Sequence, residues 1–378
     1  MVAHPLSQLR ERRAAVPPAG TAPPAGAAPA PGAAAVPRTG CHNAAAGAAQ
    51  PAGMIGGPFL SRRSLLALPP GLLAGAARAA GTAPVLLVPG PENGAAMRWA
   101  TRLAHCVGRL PGIGTPQLSV TGGPDGVTAA NRFATTEAPD GQLLLVLTGA
   151  ALLARLSGSA RVGYEVSGWT PLCLSWGRAL VAGRGPMPVA TQRRPPLRFP
   201  LPGPEAPEAG ALLALESLGL AVAPTAVPPA GEAGALAEAG FAGGALDALL
   251  LFGPDPAARA RALGATPWFG WDTVDAEVPG FATLLPAASP LRDAVGAVLG
   301  SAQLHAGLML PPLTAADVVA TWRQGAARWR EAERAAPAEG QPLVGSEAAA
   351  VLAALAPRPD AVLAWRDWLS RRLGWRPA

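Results

Sequence analysis

From Ala83 onward, short apolar runs alternate with stretches whose apolar residues recur at helical spacing. APVLLVPG (83–90) is a nearly unbroken apolar run closed by Pro and Gly, the pattern of a strand buried on both faces. Between Ala95 and Leu110, the residues Met97, Ala100, Leu103, Ala104 and Val107 repeat with the period of a helix. QLSV (117–120) predicts a second strand, TGGPDG a loop, and Val127 to Glu137 a second helix. APDGQLLLVLTG then gives a turn and another buried strand. Strand, helix, strand, helix, strand is a doubly wound α/β unit.

GWTPLCLSWGRALVAGRG (168–185) predicts two strands broken at Gly177, followed by a turn-rich, disorder-prone linker to Arg194. LRFPLPGPEAPEAGALLALESLGL repeats the first design as strand, Pro/Gly loop and helix. A helix and a strand follow in AGALAEAGFAGGALDALLLFG, another helix at Asp255 to Gly264, and a strand in PWFGWD. The remainder predicts helices at Pro290 to His305, Ala315 to Ala335, Ser346 to Ala356 and Ala361 to Leu373. Trp322, Trp329, Trp365, Trp368 and Trp375 fall in that last region at spacing expected of core residues. Two α/β lobes result: residues 83–183 with 286–378, and residues 184–285.

The first 82 residues fit neither lobe. Val16 to Gly53 is almost wholly Ala, Pro and Gly, which cannot bury enough surface to offset its ordering entropy. Residues 1–53 are therefore read as a disordered leader or an over-extended start, with Met54 as the alternative beginning. SRRSLLALPPGLLAGAARAAG (61–81) has the three parts of an export signal: Arg62 and Arg63, an apolar run from Leu65 to Ala77, and small residues around Arg78. The run is shorter than the roughly 20 residues a spanning helix needs. Residues 54–79 form the expected signal, cleaved after Ala79, and the paired arginines suit the twin-arginine route as well as the general one. The mature chain is expected in the periplasm.

This division changes the meaning of the charge. The formal net charge is +6, and the arginines of residues 1–79, set against Glu11 alone, account for all of it. Residues 80–378 are neutral and contain no lysine. A nucleic-acid partner, which a basic surface would draw by counterion release, is not expected. Cys106 and Cys173 can form a disulfide in an oxidising compartment, but LAHCVGRL and TPLCLSWG read as core segments, favouring free buried thiols. His4, His42, His105 and His305 are scattered without ligand spacing, so neither a metal nor a cofactor is expected. There is no Walker loop and no G-x-S-x-G elbow, and no nucleophile, base and orienter stand together in the sequence. The chain is not expected to be an enzyme.

What recurs is a buried strand, a Gly/Pro-rich loop and a helix N-terminus, in PGPENGAAM, GGPDGVTAA and PLPGPEAPEAG. Loops of this kind offer backbone N–H groups and the positive end of a helix dipole to an anion. VLLVPGPENG, GGPDGVT, the EAPDGQLLL turn, VSGWTPLCL, LRFPLPGPEAPEAGALLALE and GALDALLLFG resemble the substrate-binding receptors of tripartite tricarboxylate transporters, the Bug family. The resemblance runs from about Ala83 to the C-terminus. It implies a two-lobed periplasmic-binding-protein fold, monomeric, whose loops grip a ligand carboxylate for delivery to membrane transporter subunits.

Carried over by position, the resemblance implies first-lobe contacts from Pro91, Glu92, Asn93 and Gly94, and from Asp125, Gly126, Val127 and Thr128. Its second-lobe loop implies Pro202, Gly203, Pro204 and Glu205. The chain departs from the family pattern here: prolines in the second loop remove N–H donors, and Glu92 and Glu205 would repel a dicarboxylate. A small carboxylate or an amino acid is the expected ligand, and the cationic group of the latter suits the two glutamates. Two other readings stay open: a ligand-binding partner of a signalling protein, and a secreted enzyme on the same scaffold.

Overall fold

The computed structural model describes residues 83–378, apart from 111–112, 136–137, 190–194, 229–232, 272–277, 336–339 and 377–378. The leader, the export signal with its cleavage position and the end of the linker lie outside the described residues. The first half runs β1 (Val85–Val88), α1 (Ala95–Val107), β2 (Gln117–Val120), α2 (Val127–Ala134), β3 (Leu143–Leu147), α3 (Gly149–Ser157), β4 (Thr170–Trp176) and β5 (Arg178–Gly183). It continues with β6 (Leu197–Leu201), α4 (Pro207–Ser217), β7 (Val222–Ala226), α5 (Ala233–Ala242), β8 (Ala248–Gly253), α6 (Pro256–Ala262) and β9 (Thr266–Gly270). The C-terminal part holds α7 (Phe281–Leu284), α8 (Pro290–Gln303), β10 (Leu304–Leu310), α9 (Ala316–Ala335), β11 (Gln341–Val344), α10 (Gly345–Ala354) and α11 (Pro359–Leu373).

Six strands form one mixed sheet in the order β11-β4-β10-β3-β1-β2. β1 pairs parallel with both β2 and β3, whereas β10 runs antiparallel to β3 and β4. Side-chain alternation along β1 sends Leu86 and Val88 to the layer of α1 and α9, and Leu87 to the layer of α2, α3 and α10. Both faces are thus covered, which explains why β1 and β3 read as unbroken apolar runs. Trp99 of α1 and Trp329 of α9 are fully buried and meet edge to face at 5.6 Å.

The remaining strands make a three-stranded sheet, β8-β5-β9, and a parallel pair, β6-β7. Asp247 splices the two: its N–H donates to the Arg198 carbonyl at 2.9 Å, and its carboxylate accepts from Nε and Nη2 of Arg198 at 2.9 and 2.7 Å. β5 belongs to this second group, whereas the sequence division at Arg184 leaves it with the first. The chain crosses between the groups at Gly177, where a Cβ would fall 2.1 Å from Nε2 of His305. The fold is mixed α/β, with sheets flanked by helices.

Five elements escape the sequence reading, the single-turn α7 among them. β10 follows α8 with no intervening residue, so the predicted helix runs on to His305 and hides the strand. β7 contains Pro224 and β11 contains Pro342, and each lies at the edge of its group, where proline is tolerated. α3 begins at Gly149, where a Cβ would fall 1.7 Å from the Ser301 carbonyl oxygen, so its start packs directly on the end of α8. Among the described residues no single helix is long and apolar enough to cross a membrane.

Candidate ligand-binding site

In the order β2-β1-β3, chain connections leave β1 toward one face and β2 toward the other, which makes the carboxyl ends of these strands a topological switch point. Three loops assemble there. Pro91, Glu92 and Asn93 are exposed in the β1–α1 loop, and the Gly94 N–H closes the turn onto the Pro91 carbonyl at 2.8 Å. Arg98 Nη1 donates to the Asn93 carbonyl at 2.7 Å. A Cβ on Gly90 would stand 2.6 Å from the Gly122 carbonyl oxygen, so the first two loops touch through backbone.

The β2–α2 loop is fixed from both ends of Asp125. Its Oδ1 accepts the Val127 N–H at 3.2 Å, and its carbonyl accepts Thr148 Oγ1 at 3.0 Å. Gly126 is buried with φ of 77°, and Thr128 is exposed beyond it. In the β6–α4 loop Pro202, Gly203, Pro204 and Glu205 are half-buried, and the Ala206 N–H donates to the Gly203 carbonyl at 3.2 Å.

The loops of the two strand groups meet at a residue absent from the sequence reading. Arg161, in the segment between α3 and β4, places Nη1 2.5 Å from Asp125 Oδ2 and Nη2 3.4 Å from Glu205 Oε2. Its hydrogen bond to Asp125 holds the guanidinium more firmly protonated than usual. Oε1 of Glu205 is buried and has no hydrogen-bond partner among the described residues. Below this cluster Tyr164 donates to the Ala151 carbonyl at 2.7 Å and stacks on Trp169. Burial pushes its phenol up, and the Asp125 and Glu205 carboxylates push the same way.

The arrangement is suited to holding a small charged molecule. α1 and α3 open without a side-chain cap, leaving backbone N–H groups and the positive dipole ends for an anion, whereas α4 opens on Pro207, and the Ala209 N–H is given to the Ala206 carbonyl at 3.0 Å. Arg161 adds a cation beside them. Glu208, in the first turn of α4, is pushed by burial up to about 7.

Asp125 and Glu205 are the two predicted residues brought together through Arg161; Glu92 lies on the exposed first loop. Thr148 is the second contributor that sequence reasoning missed, although its position after a buried strand and before α3 marks an N-cap. Nothing in GSARVGYE singles out Arg161. Among the described residues no three His, Cys, Asp or Glu side chains gather as a metal site. Two cavities lie away from the loops. One, of about 570 Å³, sits between Trp176, Trp271 and the Gly296–Gly300 face of α8; the other, of about 330 Å³, lies against Trp169 and Leu352.

No protein-family model and no curated protein sequence matches the chain. Solved structures do. A TctC solute-binding protein from Polaromonas, without ligand, superposes with a TM-score of 0.57 at 15% identity, covering 76% of this chain and 98% of that one. The periplasmic binding protein BugD matches at 0.47 and 17% identity over 76% of this chain and 96% of its own. Rpa4515 of Rhodopseudomonas palustris, solved with adipate, matches at 0.48 and 16% over 78% and 98%. The described residues have the fold of a TctC solute-binding protein.

Proposed function

We propose that this chain is a periplasmic receptor that captures a small carboxylate-bearing metabolite between two lobes and delivers it to a transporter of the tripartite tricarboxylate type. The observation that carries the reading is the meeting of the β2–α2 and β6–α4 loops at Arg161, bonded to Asp125 and to Glu205. One cation thereby ties together the loops of both strand groups at the carboxyl ends of β1, β2 and β3, where open α/β sheets take their ligands. The fold shared with a TctC solute-binding protein supports the same reading.

The residues divide the work by chemistry. Uncapped starts of α1 and α3 attract the ligand carboxylate, and Arg161 supplies a charge-assisted donor. Thr148 and Gly126 hold the Asp125 loop in place. Pro91, Glu92, Asn93, Gly94, Val127, Thr128, Pro202, Gly203 and Pro204 line the entrance as backbone and steric boundary. Residues 54–79 act as the export signal, removed after Ala79.

A thermal-shift screen of the purified chain against small carboxylates and amino acids tests the reading, because a ligand that binds only the folded state raises the midpoint by mass action. A saturable rise with one compound class, abolished by Arg161→Ala, is expected. A flat response across the panel overturns the receptor reading.

A further inference from the structure

The larger of the two cavities away from the loops is built like a ligand pocket. Its volume of about 570 Å³ falls within the roughly 300–1,000 Å³ of small-molecule sites, and such sites favour junctions between packed substructures. This one is such a junction. Trp176 ends β4 of the six-stranded sheet and Trp271 follows β9 of the three-stranded sheet, so two indoles reach one cavity from different strand groups.

One face of α8 makes room for them. Arg292, Gly296 and Gly300 are four residues apart and stack along a single stripe of the helix. A Cβ on Gly296 would stand 2.7 Å from Trp271 Cζ2, and one on Gly300 would stand 2.5 Å from Leu355 Cδ2 and 3.9 Å from Trp176 Cη2. Bare backbone therefore lets both indoles and the end of α10 close on the helix, with Val351, Ala354 and Leu355 as the facing apolar wall. The charges stand at the N-terminal end of the stripe. Arg358 Nη2 is taken up by Asp293 at 2.9 Å and by Asp360 at 3.6 Å. Arg292 is not taken up in this way: its Nη1 donates to the Pro286 carbonyl at 2.9 Å, and no carboxylate pairs with it among the described residues.

We propose that this cavity is a second binding site, separate from the loops around Arg161, for a molecule with a flat aromatic body and one carboxylate. The two indoles offer a ring the offset and edge-to-face contacts that aromatic pairs prefer. A carboxylate at Arg292 gains a charge-assisted hydrogen bond, stronger than the carbonyl contact the guanidinium has now. A cationic ligand meets Arg292 with the wrong sign, and a dicarboxylate sets its second charge against the apolar wall of α10, where desolvation is uncompensated. The occupant touches both strand groups, and the assignment holds whether or not the loop site is a receptor site.

Isothermal titration of the full chain with indole-3-acetate, and with indole and acetate as its two halves, tests the proposal. Indole-3-acetate is expected to bind saturably and more tightly than either half. Ala354→Phe sends a ring into the cavity from an exposed position on α10 and is expected to weaken indole-3-acetate about 10-fold or more. Arg292→Gln is expected to weaken it about 10-fold, the loss of one charge-assisted hydrogen bond, while indole binds as before. Arg292 is partly exposed, so this variant keeps the test alive if Ala354→Phe folds poorly. Arg161→Ala should leave indole-3-acetate binding unchanged. Absence of binding by indole-3-acetate overturns the site. Full affinity in Ala354→Phe with loss in Arg161→Ala places the molecule at the loops and overturns it as well. Equal affinities of indole and indole-3-acetate, or an unaffected Arg292→Gln, overturn the carboxylate assignment.

Discussion

Gly126 shows how one backbone position shapes the cleft. Its φ of 77° lies in the left-handed region, and a Cβ there would stand 2.6 Å from Thr148 Oγ1, the group that donates to the Asp125 carbonyl. Gly126→Ala is therefore expected to cost about 1–3 kcal/mol in urea unfolding and to loosen the Asp125 loop. Gly203→Ala is the control, since nothing lies within 4 Å of its Cβ position; equal midpoints for the two variants would refute the argument. Glu208 makes a prediction in pH. Burial raises its carboxyl to about 7, above its ordinary range, so the folded state holds a proton that the unfolded chain has released. That contribution is present at acid pH and is lost as pH rises through 7. Glu208→Gln should melt above the parent at pH 8, by about 1–3 kcal/mol, with the gap closing by pH 4. Of the candidate site, the three strand–loop–helix turns were legible because Gly and Pro leave a signature there, and the individual contact residues came only from the family resemblance. Arg161 was not, because its role comes from two loops distant in sequence converging on an ordinary surface arginine.

At the scale of elements, the join between β6 and β8 depends on Arg198 and Asp247. The Arg198 guanidinium grips the Asp247 carboxylate through two nitrogens, and the Arg198 backbone N–H adds a third bond at 2.9 Å. The hydrogen bond from Arg198 holds the Asp247 carboxyl below its ordinary value. Both side chains are partly exposed, so the stabilisation is about 1 kcal/mol. It is present above the unfolded carboxyl range and is lost as pH falls through the depressed folded value. Asp247→Asn should be less stable than the parent at pH 7 and indistinguishable from it near pH 2, by chemical denaturation at each pH. Sequence reading located β1 to β6, β8 and β9 through apolar runs bounded by Gly and Pro, and these punctuate a strand wherever it is flanked by loops. It lost β10 because LHAGLML abuts α8 without punctuation, and short apolar runs do not distinguish strand from helix. Edge strands β7 (VAPTA) and β11 (QPLV) were lost because neither is an apolar run long enough to stand out as a buried strand.

Across the whole molecule, α3 couples the two strand groups. Leu152 and Ala154 pack in the core under the six-stranded sheet, while Leu153 and Leu156 pack with Phe199, α4, α8 and α11 in the core that reaches β5 and β8. α11 locks this arrangement from outside. Trp365 is buried, stacks on Trp368 at 5.3 Å and points Nε1 at Ser157 Oγ at 3.4 Å, while Arg366 donates to the Leu156 and Arg155 carbonyls at the end of α3. A core shared in this way makes the two strand groups melt together, beyond what the Arg161 contacts between their loops would do alone. Trp365→Ala, which empties a large volume at the shared core, is expected to cost about 3–5 kcal/mol. The loss should appear in both groups at once: far-ultraviolet circular dichroism and tryptophan fluorescence should give coincident transitions in parent and variant, each shifted by the same amount. If the variant instead unfolds in two steps, with one group melting while the other holds, α3 does not couple them and the lobes are separate folding units joined by their crossover strands alone.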